Sequence, residues 1–74
     1  MIVIFSKEEL EMLKELRDSN NLPPIPTEWD SETAELYRDA ANDFEVLMGL
    51  DINYNLTPKG KIAIMISDKL FEVP

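Results

Sequence analysis

The sequence predicts an α+β fold, mainly helical, in a single domain spanning residues 1–74. Three observations predict it: two stretches with apolar residues at helical spacing, a β-branched run at the N-terminus, and a later segment alternating apolar and polar residues. Amphipathic helices are expected at about 7–19 and 28–48, a small sheet from residues 2–5 and 52–56, and a C-terminal helix at about 58–70. For the C-terminal part a β-hairpin over 51–56 and 61–66 is the alternative.

Met1 to Phe5 is continuously apolar and rich in β-branched residues, the pattern of a short buried strand. Ser6-Lys7-Glu8-Glu9 then spells a capping box, with Ser6 as N-cap and Glu9 at N3, and Phe5 and Leu10 stand where a hydrophobic staple closes. Along the first helix Leu10, Leu13 and Leu16 line one side. Glu8, Glu11, Glu15 and Asp18 fall opposite them as an acidic ladder, softened by Lys7, Lys14 and Arg17.

Ser19-Asn20-Asn21 ends this helix, and Leu22-Pro23-Pro24-Ile25-Pro26 must be extended, because each proline sets its own φ and biases its predecessor away from α. A stiff linker is expected; a polyproline-groove ligand is the other use of such a segment. Thr27 or Asp30/Ser31 caps the second helix, which runs to about Met48 and stops at Gly49 as C′ residue. Its apolar face is Ala34, Tyr37, Ala41, Phe44 and Met48, an arc of roughly 80°.

Asp51 to Leu56 alternates Ile52, Tyr54 and Leu56 with polar residues, as a half-buried strand pairing with 2–5 would. Thr57-Pro58-Lys59-Gly60 reads either as a type I turn or as an N-cap and N1 proline opening a helix on Ile62, Ala63, Ile66 and Leu70; the helix is preferred. The stretch Leu56-Thr57-Pro58-Lys59-Gly60-Lys61 resembles the strand-to-helix junction that closes the wing in winged-helix regulators. That resemblance implies a small regulatory or adaptor protein, and the family's usual role is DNA reading. The charge opposes such a role, because nucleic acid and anionic membranes both call for a positive surface.

The charge is also the most uneven property of the chain. Net charge is −8, and the segment from Glu28 to Asp51 holds eight acids against Arg38 alone, so it carries −7 of that total. Within it Glu32, Glu35, Asp39 and Asp43 are spaced three, four and four apart, sharing an arc of roughly 80° opposite the apolar face. Leu36 and Val46 project beside this stripe as apolar candidate contacts.

Catalysis finds little support. There is no histidine or cysteine to serve as nucleophile or base, no disulfide or zinc site, and only two glycines, too few for a phosphate loop. Asp51, Asn53 and Asn55 match the opening of a calcium loop, but Leu56 stands where glycine is needed and Ile62 where a bidentate glutamate is needed. Asn55-Leu56-Thr57 matches a glycosylation acceptor, without any sign of secretion. No enzyme activity, cofactor or metal is expected. The Met1–Phe5 run is too short for a signal segment and no window approaches a membrane span, so a soluble, cytoplasmic protein is expected.

In size, charge and lack of catalytic groups the chain is similar to the small acidic proteins with which bacteriophages block host DNA-handling machinery. These include inhibitors of the replication sliding clamp, of uracil-DNA glycosylase and of restriction enzymes. The resemblance implies a DNA mimic acting in the host-cell cytoplasm on a basic, DNA-binding host protein. Its binding residues would be Glu32, Glu35, Leu36, Asp39, Asp43 and Val46 of the second helix with Glu8, Glu11, Glu15 and Asp18 of the first. A domain this small is marginally stable alone, and one ladder is sparse beside DNA, so a homodimer is expected. The rival class is a generic protein-interaction module in which the acidic face only confers solubility.

Overall fold

The computed structural model describes residues 1–48, 53 and 55–74, and these form three helices, α1 (Lys7–Asn20), α2 (Ser31–Met48) and α3 (Pro58–Phe71). There is no strand among the described residues, only an isolated bridge at Leu56. The described residues are therefore all-helical in their regular structure, and the expected α+β arrangement is corrected. Residues 2–5 form no strand: Met1 beside them pairs with Trp29, and a side chain takes the Ile4 carbonyl. The N-terminal ammonium of Met1 donates to the Trp29 carbonyl at 2.9 Å, and the Trp29 N–H returns a bond to the Met1 carbonyl at 2.7 Å. Lys69 Nζ donates to the Ile4 carbonyl at 3.0 Å. Ile52 and Tyr54 of the expected partner strand lie outside the described residues, as does Gly49.

Each helix start follows from its capping chemistry. In α1 the Glu9 N–H donates to Ser6 Oγ at 3.2 Å and the Ser6 N–H to Glu9 Oε1 at 2.7 Å, so the capping box closes in both directions. Asn21 ends α1 in the left-handed region at φ 53°, a conformation asparagine tolerates. Asp30 caps α2, its Oδ1 accepting the Thr33 N–H at 2.7 Å, which places the start at Ser31 rather than near residue 28. Those bonds favour the carboxylate and hold Asp30 below its ordinary pKa. Thr57 caps α3 through the Gly60 N–H at 3.0 Å, with Pro58 in the first turn. Residues 61–66 are helical, which excludes the hairpin alternative.

The direction of the helices is set by the proline connector. Trp29, just before α2, packs against Phe5, just before α1, with ring centroids 5.8 Å apart. At the other end Asn20, Met48 and Pro58 line one groove. Hence α1 and α2 run parallel and α3 runs back between their ends. The connector, residues 21–30, must return along the whole of α1, about 21 Å, and its ten residues would reach roughly 31 Å if fully extended, so the span is within reach. A flexible loop would pay more entropy for the same path. The Tyr37 hydroxyl donates to the Pro23 carbonyl and fastens the connector to α2; burial pushes this phenol above its ordinary pKa.

The core joins Met12, Leu13 and Leu16 of α1 to Tyr37 and three alanines of α2, and to Ala63, Ile66 and Leu70 of α3. Trp29 is its largest member from outside the helices and meets Tyr37 edge-on at 5.2 Å. Two expectations about packing change. Leu10 is exposed and Glu9 takes its place on the buried side of α1, while Phe5 packs against Trp29. Met48 of the expected apolar face of α2 is also exposed.

Candidate functional site

Two surfaces stand out. The first is the outer face of α2, where Glu32, Glu35, Asp39 and Asp43 are all exposed. Their mean direction lies about 165° from that of the buried Ala34, Tyr37, Ala40 and Ala41, so the stripe faces straight outward. Among the described residues none of the four is paired with a base. Arg38, the lone base of this segment, sits over the Phe71 ring at 5.6 Å and is thereby held toward α3. Leu36 and Val46 are exposed beside the stripe as expected.

The ladder of α1 is placed differently. Its buried residues are Glu9, Met12, Leu13 and Leu16, a stripe rotated about 50° from the leucine line that the sequence suggested. The ladder of Glu8, Glu11, Glu15 and Asp18 therefore lies only about 130° from the core and is drawn toward α3. Lys59 Nζ of α3 approaches Glu15 at 3.3 Å, and Arg17 Nε bonds Asp18 at 3.1 Å. Both pairs are solvent-exposed and contribute little to stability, but they do reduce the negative field of α1.

The second surface is a groove of about 740 Å³ where α1 and α2 end and α3 begins. Leu16, Ala40, Phe44, Leu47 and Met48 supply apolar lining, and Glu15, Asp18, Asp43 and Lys59 supply charge. Of the ten expected binding residues the groove gathers these three acids. Glu8, Glu11 and Glu15 share a smaller hollow of about 100 Å³ with Met12, Lys59 and Ile62. Glu32, Glu35, Leu36, Asp39 and Val46 line neither hollow.

Residue spacing gives no sign of the groove, because it forms only when α1 and α2, consecutive helices joined by the proline connector, pack parallel with the start of α3 at their ends. A partial signal was present: α2 has 18 residues against 14 in α1, so its last turn outruns its neighbour. That turn holds Val46, Leu47 and Met48, which are 73%, 80% and 67% exposed.

Glu9 is a further buried acid, 1% exposed, whose place in the sequence marks it only as part of the capping box. Its Oε1 accepts Lys69 Nζ at 2.7 Å as well as the Ser6 N–H. Oε2 has no partner among the described residues. Burial raises its pKa, while the bonds from Lys69 and Ser6 outweigh that and leave it below the ordinary value. Lys69 also reaches the Ile4 carbonyl and lies 5.5 Å from the Phe5 ring, so one ammonium ties the N-terminal segment, α1 and α3 together.

Among the described residues no group of three or more acids is arranged to hold a metal ion, and no helix is long and apolar enough to cross a membrane. No protein-family model, curated protein or solved structure matches the chain.

Proposed function

We propose that the protein is a non-enzymatic, acidic inhibitor whose α2 stripe imitates a row of DNA phosphates and occupies the positive DNA-binding surface of a host DNA-handling protein. A replication sliding clamp, with a channel lined by positive charge, is one such target. The supporting observation is the orientation of α2: four exposed carboxylates without a paired base among the described residues, directed away from the core while Arg38 is held aside. An ordinary solvated face mixes lysine with glutamate and gains from the pairs, as α1 does.

Magnitude decides how many copies are needed. The stripe covers about 16 Å of helix, along which duplex DNA carries roughly ten charges at about one per 1.7 Å. Four carboxylates are too few. Since the α1 ladder is partly paired and inclined toward α3, the missing charge comes from a second copy, and the protein acts as a homodimer. Light scattering at micromolar concentration should give twice the monomer mass of 8.5 kDa.

The decisive experiment is capture from bacterial lysate with mass-spectrometric identification, at low and high salt. A DNA-handling protein should be retained, released by salt and displaced by duplex DNA. The triple variant Glu32→Lys, Glu35→Lys, Asp39→Lys should lose that protein while keeping its helical circular-dichroism spectrum. Unchanged affinity in the triple variant would sink the mimic.

A further inference from the structure

We infer that the groove at the C-terminal ends of α1 and α2 docks a cationic amphipathic helix of a protein partner. The inference does not depend on the DNA-mimic reading, since Glu32, Glu35 and Asp39 do not line the groove.

Shape and polarity favour such an occupant. The lining from Ala40 to Met48 runs about 12 Å along α2, the span over which a docked helix places anchors at i, i+3 or i+4, and i+7. Leu16 and Phe44 line the groove together with Leu47 and Met48, and the last two keep most of their apolar surface exposed. An elongated apolar face matches this strip along α2.

Charge selects the sign of the partner. Glu15 is shared with Lys59, and Asp18 with Arg17, but Asp43 has no paired base among the described residues. Two helices end at the groove, and the partial negative charge of their C-termini adds to these acids; α2 has no basic residue in its last turn to offset it. The N-terminus of α3 and Lys59 return some positive charge, and they sit at one side of the rim. A chain of net charge −8 also attracts a cationic segment from a distance. Leucine on one face of the partner helix would fill the groove, and lysine or arginine at its flanks would meet Asp18 and Asp43.

The test uses the full chain and a synthetic 18-residue helix of leucine and lysine with one apolar face, labelled for fluorescence anisotropy. A scrambled peptide of the same composition and a leucine–glutamate helix serve as controls. The amphipathic cationic peptide should bind at least about tenfold more tightly than either control, because only it offers aligned anchors and complementary charge. Leu47→Ser, which changes an exposed side chain, should weaken binding by about tenfold, and Asp18→Asn with Asp43→Asn by about threefold to tenfold. Glu32→Lys with Glu35→Lys should leave the Leu47→Ser effect intact, which separates failure here from failure of the outer stripe. Amide chemical shifts on titration should move at Ser19, Asn20, Phe44, Leu47 and Thr57. Equal binding of the scrambled peptide, shifts confined to the outer face of α2, or groove shifts produced by self-association would each overturn the inference. So would nuclear Overhauser contacts from residues 49–54 to Leu16 and Phe44 in the free protein, which would mean that this chain fills its own groove.

Discussion

The two acidic ladders look alike in sequence and differ in the fold. Each is a set of four carboxylates at spacings of three and four, yet α2 turns its set straight outward while α1 inclines its set toward a neighbour. The cause is the residue at the core. In α2 alanines and Tyr37 are buried opposite the acids; in α1 the buried stripe includes Glu9, which is drawn inward by Lys69 of α3. That inward rotation brings Glu15 to Lys59 and places Asp18 at the groove. Periodicity alone therefore does not separate a presented stripe from an engaged one; the deciding factor is where the partnering bases lie.

The largest effect that sharpens this contrast is on binding. Reversing Glu32, Glu35 and Asp39 should abolish capture of the target, whereas Glu8→Lys with Glu11→Lys should lower affinity by no more than about tenfold, measured by the same salt-dependent pull-down or by calorimetry. Equal losses would erase the distinction between the two helices.

The next effect is on stability. Glu9→Gln removes the charged partner of Lys69 and weakens the capping box, and should cost about 1–3 kcal/mol in urea unfolding. Lys69 is partly exposed and can recover water, which keeps the cost below that of a fully buried pair. Glu35→Gln on the outer stripe should stay within about 0.5 kcal/mol.

Acid titration tests the same asymmetry. The folded-state pKa of Glu9 is depressed, so its contribution is present above the unfolded value and is lost as pH falls through the lower folded value. Asp30 has the same sign through its cap. The thermal midpoint should therefore fall as pH drops from about 5 to about 3, and Glu9→Gln should flatten that slope. The smallest effect belongs to Lys59→Ala, which frees Glu15 and should change stability by about 0.5 kcal/mol or less, read from the midpoint of denaturant unfolding.

Much of the local structure was legible in the sequence. The capping box at Ser6 and Glu9, the Thr57-Pro58 helix start, the proline connector and the exposed stripe of α2 are each set by residues within a turn or two of one another. The α1 helix ends within a residue of the expected place for the same reason. The start of α2 was offered as Thr27 or Asp30/Ser31, and Asp30 prevailed because its carboxylate bonds the Thr33 N–H.

Other features required contacts across the chain. The apolar run at 2–5 looks like a strand by composition, yet an extended segment becomes one only when a neighbour offers a ladder. Here Trp29 offers a single reciprocal pair and Lys69 takes a carbonyl. Trp29 itself sits among polar residues with no periodic mark, and its burial depends on Phe5 and Tyr37 converging from either side. The groove likewise depends on the parallel course of α1 and α2.

By itself the sequence determined where helices begin, which residues cap them, and that one face of α2 would carry unbalanced negative charge, because these follow from covalent geometry, spacing and short-range hydrogen bonds. Only the tertiary structure decided that no sheet forms among the described residues, that Glu9 turns inward, and that three acids from two helices meet at an apolar groove. Those outcomes rest on which distant side chains satisfy each backbone group and each buried charge, and residue spacing along the chain does not specify that.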